Sequence, residues 1–127
     1  MARRIAVIDD DGAIRDLLAE VLTDEGYEPL LFADSKAALL ALGDHPPDAL
    51  IMDLRLPPPL DGWALLALLW ADPTLCTLPV LVCTGDERAV RDQAQAAVLD
   101  RPGCAVLAKP FDLDDLLATL VHLGVTP

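Results

Sequence analysis

Five side chains that could do chemistry stand at the ends of short apolar runs in the sequence. They are three carboxylates, one hydroxyl and one ammonium, namely Asp9, Asp10, Asp53, Thr84 and Lys109. Neighbouring carboxylates repel each other by about 3–4 kcal/mol at an effective dielectric constant of roughly 20, so this set calls for a positive partner. Carboxylate oxygens suit a hard cation such as Mg²⁺ or Mn²⁺, and an ammonium with a hydroxyl suits an anion such as a phosphoryl group.

The apolar runs are continuous rather than alternating, which is typical of strands buried on both faces of a parallel sheet. They cover residues 5–8, 29–32, 49–52, 79–82 and 104–108. Because helical patterns separate the runs, the sequence predicts an α/β fold with helices on both faces of the sheet. Pro29 lies inside the second run and indicates an edge strand. We therefore expect a flavodoxin-like (βα)5 three-layer sandwich with strand order 2-1-3-4-5, in a single domain over residues 1–127.

The clearest helical pattern is an apolar stripe from Ile14 to Leu22. Asp11 is a good cap for its start, and Gly26 marks its end. A second strong stripe follows Asp112, which we expect to open the last helix. Weaker helices are predicted at residues 35–42, 61–70 and about 86–98.

The predicted sheet determines where the chemical side chains lie. In an open parallel sheet the carboxyl ends of all strands lie at one edge, where ligands bind. We therefore expect Asp9, Asp10 and Asp53 to converge as a hard-oxygen pocket that faces Thr84 and Lys109.

Composition excludes several classes of function. A formal net charge of −12, from 21 acidic and 9 basic residues, repels nucleic acid and anionic membranes. The longest uncharged apolar run, from Trp63 to Ala71, is too short to span a bilayer, and the N-terminus does not have the pattern of a signal peptide. We expect a cytoplasmic protein.

Three scattered cysteines, Cys76, Cys83 and Cys104, lack metal spacing and are interpreted as small apolar residues.

Four motifs in this order resemble the receiver domains of bacterial two-component response regulators. They span most of the chain: VIDDDGAIRDLL, DALIMDLRLPPPLDGWALL, LPVLVCTGD and VLAKPFDLDDLL. The resemblance implies a phosphoprotein that takes a phosphoryl group from a histidine kinase or a histidine phosphotransfer protein. It then signals to a downstream protein partner by altered contacts, and a homodimer is one form those contacts could take. We expect a single receiver domain with no output domain in residues 1–127.

The resemblance also implies a role for each site residue. Asp53 would be the phosphoacceptor, and Mg²⁺ or Mn²⁺ would be bound by Asp10, by Asp53 and by the backbone carbonyl of Arg55, with Asp9 acting through water. Thr84 and Lys109 would bind phosphoryl oxygens. The bond before Pro110 would be cis. Arg55 and Asp86 flank the site at positions that tune dephosphorylation in the family.

Three features depart from the family pattern. The loop after Asp53 is one residue longer and carries the three prolines Pro57–Pro59. Val106 stands where the family usually has Tyr or Phe, so the usual coupling of the threonine to that aromatic cannot operate here. The segment AVLDRPGC before the last strand is longer than usual. We expect a muted response to phosphorylation on the face that contains the fourth helix, the fifth strand and the fifth helix.

Helical spacing in residues 61–70 raises a question about a partner surface. Trp63, Leu66 and Trp70 share one side, and Leu65, Leu68 and Leu69 share nearly the opposite one. Only one stripe can pack on the sheet, so Trp70 belongs either to an interface or under neighbouring loops.

Three alternatives to a phosphoacceptor remain open on the sequence. A non-phosphorylated pseudo-receiver that acts as an interaction module would differ in not being labelled by a small phosphodonor. A haloacid-dehalogenase-type phosphatase would need a DxD arrangement on the first strand, whereas the sequence reads IDDDG. A flavin carrier would need a phosphate loop rich in Gly, Ser and Thr after that strand.

Overall fold

The computed structural model describes residues 2–85 and 92–127, except for the side chains of residues 93–95. Within these residues, strands and helices alternate along the chain. The strands are β1 (Arg4–Ile8), β2 (Glu28–Phe32), β3 (Ala49–Met52), β4 (Val80–Thr84) and β5 (Cys104–Ala108). The helices are α1 (Gly12–Asp24), α2 (Ser35–Asp44), α3 (Gly62–Ala71), α4 (Gln93–Leu99) and α5 (Leu113–His122). The prediction of a helix over 86–98 falls partly outside the described residues.

The five strands form one parallel sheet in the order β2-β1-β3-β4-β5, as predicted. Pro29 pairs with Ile5 in β2, which is an edge strand, so the argument from proline is confirmed. The central strands β1, β3 and β4 are almost fully buried, because helices cover both faces of the sheet.

Successive residues of each central strand contribute to two separate cores. Ala6 and Ile8 of β1 belong to the core that lies against α2 and α3. Ile5 and Val7 belong to the core that lies against α1 and α5. This alternation follows from the two-residue period of a strand, and it produces the predicted three layers.

Aspartates begin most of the helices. Asp11 accepts hydrogen bonds from the N–H groups of Ala13 and Ile14, at 2.9 and 3.4 Å, so its predicted role as a cap is confirmed. Asp34 and Asp61 cap α2 and α3 in the same way. Asp112 precedes α5 but makes no side-chain cap bond. Asp112 occupies the N-cap position, so the expectation that it opens this helix is confirmed, and two acidic residues of the first turn complement the helix dipole.

The apolar faces of α3 differ from the two predicted stripes. Leu65, Leu66 and Leu69 are all buried against the sheet, whereas Leu68 is 45% exposed. Trp70 packs against the margin of this core and is half-buried. The guanidinium of Arg101 lies 4.2 Å from the centroid of the Trp70 ring. A neighbouring segment therefore covers this indole, and the interface assigned to Trp70 stays a prediction.

Among the residues that the structure describes, no helix is both long enough and apolar enough to cross a membrane.

Candidate functional site

The sheet brings the predicted site residues to one edge through backbone pairing. Asp9 follows β1 and donates its N–H to the carbonyl of Phe32, at 3.2 Å. Asp53 follows β3 and donates its N–H to the carbonyl of Ile8, also at 3.2 Å. These bonds extend the strand ladders by one residue, so the side chains that follow the strands are held in register.

Lys109 occupies the centre of this edge. Its N–H bonds to the carbonyl of Thr84 at 2.8 Å, which fixes it beside the end of β4. Its Nζ donates to Oδ2 of Asp53 at 2.8 Å and to Oδ2 of Asp9 at 3.2 Å. Both carboxylates are nearly buried, with side-chain exposures of 10% and 6%, and the lysine side chain is 23% exposed. Lys109 is therefore a positive partner of the kind that the sequence predicts, because one ammonium compensates two acids.

Backbone donors hold the other oxygen of each carboxylate. Oδ1 of Asp53 accepts the N–H of Arg55 at 3.0 Å, and Oδ1 of Asp9 accepts the N–H of Asp11 at 2.9 Å. Each acid is thus fixed at both oxygens, by a backbone N–H and by the ammonium of Lys109.

The pKa of Lys109 reflects this environment. Burial acts first and disfavours the charged ammonium, but the hydrogen bonds and charges of Asp53 and Asp9 outweigh it. The pKa of Lys109 is therefore raised above its ordinary value of 10.5. The lysine is a fixed cation at neutral pH and suits the binding of an anion better than the transfer of a proton.

Asp10 follows Asp9 directly in the chain. It is exposed, and the part of the chain that the structure describes holds no group of three or more His, Cys, Asp or Glu side chains placed to ligate a metal ion. Asp9 and Asp53 converge on Lys109, and the convergence of Asp10 with them stays a prediction.

The residues nonetheless fit a hard dication in donor chemistry and charge. The carboxylates of Asp9 and Asp53 both bind the ammonium of Lys109, and Asp10 is the next residue after Asp9. The three carboxylates outnumber the two cations that hydrogen-bond to Asp9 or Asp53, namely Lys109 and Arg15, so negative charge remains uncompensated at this edge. Oxygen donors with surplus negative charge are what Mg²⁺ and Mn²⁺ prefer. The individual ligand roles stay predictions.

Two further predicted residues lie where the strands require. Thr84 is buried at the end of β4, one strand away from Asp53. Val106 is half-buried in β5, pairs with Val82 in β4 and packs against the core on the α3 side. Their roles in switching stay predictions, and Asp86 lies outside the described residues.

The long loop after Asp53 is anchored by apolar residues. Leu54 and Leu56 are buried, and the N–H of Gly62 donates to the carbonyl of Leu54 at 2.9 Å. A Cβ atom at Gly62 would lie 2.5 Å from Cα of Leu54 and 2.7 Å from the carbonyl oxygen of Asp53, so only glycine fits. The bonds before Pro59 and Pro110 are cis, the second as the resemblance implied.

The cysteines have no part in this chemistry. Cys83 is buried in β4, and burial raises the pKa of its thiol to about 12. Burial likewise raises the pKa of Cys104 to about 11. Neutral thiols are poor nucleophiles and poor metal ligands, which agrees with their interpretation as small apolar residues.

Arg15 is a site neighbour to which sequence reasoning gave no role. Its Nη1 donates to the backbone carbonyl of Asp9 at 2.6 Å. The sequence feature that could have indicated this contact is a basic residue one helical turn after the start of α1, on the helix face toward Asp9. Such a position is also common for a solvated helix face, so spacing alone could not separate the two.

The sequence matches one known protein family over most of its length. The family model described as response regulator receiver domain matches residues 5–121. The response regulator MprA of Mycobacterium tuberculosis is 37% identical over 120 residues, which cover 94% of this chain and 50% of MprA. The DNA-binding transcriptional regulator NtrC of Proteus hauseri is 35% identical over 122 residues, 94% of this chain and 24% of NtrC. The chain thus spans between a quarter and a half of these relatives.

A solved structure shows the same fold. The chemotaxis response regulator CheY4 of Vibrio cholerae superposes with a TM-score of 0.84, and the match covers 97% of this chain and 99% of that one. The two sequences are 24% identical, so this likeness supports the fold alone.

Proposed function

The chain belongs to the response regulator receiver domain family, and from this premise we propose that Asp53 accepts a phosphoryl group from a phosphohistidine. A receiver domain is a signalling module of two-component systems, so neither a phosphatase nor a flavin carrier is the appropriate class. The contact of Lys109 with both Asp53 and Asp9 is the observation that carries the proposal.

The proposed reaction is a transfer between two nucleophiles. A carboxylate oxygen of Asp53 attacks phosphorus, the phosphorus–nitrogen bond breaks, and the departing imidazole keeps the bonding electrons and takes up a proton. The product is an acyl phosphate on Asp53. Such transfer requires mainly in-line positioning and neutralisation of charge, because little covalent chemistry is left to the protein.

Lys109 and Thr84 supply part of that neutralisation. The ammonium of Lys109 already lies 2.8 Å from Oδ2 of Asp53, so it is next to the place where phosphoryl oxygens arrive. In this proposal it moves from pairing two carboxylates to pairing one carboxylate and the phosphoryl group. Thr84, at the end of the neighbouring strand, donates its hydroxyl to a second phosphoryl oxygen.

Mg²⁺ or Mn²⁺ belongs to the same proposal. Asp10, Asp53 and the carbonyl of Arg55 would hold the ion, with Asp9 acting through water. When bound, the ion neutralises charge on the phosphoryl oxygens.

The proposed donor is a histidine kinase or a histidine phosphotransfer protein. An apolar cleft of about 320 Å³ lies beside the site, and Lys109 itself is in its lining together with Leu17 and Phe111. A donor protein seated in this cleft would bring its phosphohistidine to the ammonium that contacts Asp53. Output to a downstream protein partner, or through a homodimer, is proposed to follow from altered surface contacts.

Intact-mass spectrometry after treatment with acetyl phosphate tests the reaction. The wild-type protein is expected to gain one phosphoryl group with Mg²⁺ and much less without it. Asp53→Asn is expected to gain none, whereas Asp11→Asn, which keeps a good helix cap, should be labelled like the wild type. An unlabelled wild-type protein would instead support the pseudo-receiver alternative.

A further inference from the structure

Arg15 is the basic side chain that reaches the acid-bearing loop from α1. Its Nη1 lies 2.6 Å from the backbone oxygen of Asp9, and the side chain is half-buried. The other terminal nitrogen, Nη2, packs over Gly12, where a Cβ atom would be 3.4 Å away. Within the described residues, Arg15 forms no ion pair with a carboxylate. Its contact is with the backbone, so its role differs from that of Lys109.

The contact of Arg15 bears directly on Asp10. The carbonyl of Asp9 and the N–H of Asp10 belong to one planar peptide unit, so a bond that fixes the carbonyl also fixes the orientation of the Asp10 backbone. The side chain of Asp10 is exposed and makes no side-chain hydrogen bond with the described residues. The direction of its Cα–Cβ bond therefore depends on this peptide, since no side-chain hydrogen bond within the described residues fixes Asp10.

Asp9 is held in a different way. Its N–H bonds to Phe32, and its carboxylate bonds to Lys109 and to the N–H of Asp11. Loss of Arg15 would leave these three bonds in place and would release only the carbonyl. The expected effect thus falls on Asp10 more than on Asp9.

We propose that Arg15 is a positioning residue for Asp10, which it orients toward a divalent cation by fixing the Asp9–Asp10 peptide. The inference rests on the proposed function, because that function assigns Asp10 to the metal. Arg15 does not touch the ion in this scheme and acts through the backbone.

The sign of the effect separates positioning from simple electrostatics. Arg15 carries a positive charge close to a cation site, so removing that charge alone would tighten the binding of Mg²⁺. Removing a group that orients a metal-ligating side chain weakens metal binding, commonly by about 10–100-fold. The two explanations predict opposite changes.

Isothermal titration with MgCl₂ provides the test. Arg15→Gln is expected to bind Mg²⁺ about 10-fold more weakly than the wild type. Arg3→Gln is the matched control, because it removes the same charge from an exposed pair with Asp48 at the opposite edge of the sheet. It should bind within about twofold of the wild type. Equal or tighter binding by Arg15→Gln would overturn the proposal.

A double-mutant cycle tests whether the effect passes through Asp10. In an Asp10→Asn background, measured with Mn²⁺ by electron paramagnetic resonance, Arg15→Gln should change affinity by less than about twofold. The same loss in both backgrounds would show that Arg15 acts elsewhere and would contradict the proposal.

Two controls separate a loss of metal binding from a loss of folding. Thermal unfolding shows whether Arg15→Gln folds; if it does not, Arg15→Lys replaces it, since it keeps the charge but loses the planar fork. A loss of about threefold is expected for that variant, and affinity equal to the wild type would overturn the proposal. Failure of the wild type to bind either metal would refute the metal site itself, and the role of Arg15 with it.

Discussion

Lys109 and Asp53 form an ion pair, with Nζ 2.8 Å from Oδ2, that joins the end of β5 to the end of β3. Since β4 lies between these strands, the pair spans the sheet above the end of β4. A single side chain therefore compensates the charge of Asp53 and couples two strands that make no ladder with each other.

Removing the ammonium should destabilise the protein. Lys109→Met leaves two nearly buried carboxylates without their cation, and loss of one partner of a buried ion pair costs about 3–5 kcal/mol. We expect a loss near the lower end, about 3 kcal/mol, because the pair is partly solvated. Urea unfolding at neutral pH measures it. Lys36→Met, at an exposed position of α2, makes the same change of side chain and should stay within about 0.5 kcal/mol of the wild type.

The same ion pair predicts a dependence of stability on alkaline pH. The pKa of Lys109 is raised above 10.5 in the folded protein, because the two carboxylates outweigh the effect of burial. A raised pKa contributes stability that is complete below 10.5 and is lost as the pH rises through the folded value. The difference in unfolding free energy between wild type and Lys109→Met should therefore shrink above that pH. A difference that is constant across this range would contradict the assignment.

Gly62 should tolerate no side chain. A Cβ atom there would lie 2.5 Å from Cα of Leu54, so the backbone after Asp53 would have to move. We expect Gly62→Ala to cost about 2–3 kcal/mol and to lower the rate of labelling by acetyl phosphate. Gly43→Ala is the control: it lies in α2 with no atom within 4 Å of the new Cβ, and it should stabilise the protein by about 0.5–1 kcal/mol. Equal effects of the two substitutions on urea unfolding would show that the close approach is unimportant.

Val106 should weaken the coupling between the site and the distant face. Its side chain is half-buried in β5 and lacks the ring that the family commonly has at this position. Binding of a phosphoryl analogue is expected to shift the amide resonances of Asp53 and Lys109 strongly and those of β5 and α5 weakly. Shifts in α5 as large as those at Asp53 in a heteronuclear NMR titration would contradict this. A Val106→Tyr protein provides the comparison and should show larger shifts in α5 than the wild type.

The sequence is sufficient for the sheet and for most of the site edge. Continuous apolar runs specify buried parallel strands, and one proline specifies which strand is at the edge. The neighbours Asp53 and Lys109 follow from that topology, because parallel strands end on the same side. Residues such as Asp10 are harder, since the direction of a side chain one step beyond a strand depends on loop torsions rather than on strand alternation.

Contacts between distant segments account for the remaining differences. The exposure of Trp70 depends on Arg101, which is 31 positions later and packs over its ring. The link from Arg15 to Asp9 depends on a rotamer of a long side chain. Helical periodicity predicts neither contact, because it gives the helix face on which a residue lies but not the distant segment that packs against that face.

Pro29 has a consequence for how molecules meet one another. The N–H of Glu28 points inward to the carbonyl of Arg3, so the alternation of β2 directs the nitrogens of Pro29 and Leu31 outward. Proline carries no hydrogen on that nitrogen, which leaves Leu31 as the one outward donor of the five-residue strand. The β2 border of the sheet is thereby a poor template for a strand from another molecule, and this disfavours edge-to-edge aggregation through β2.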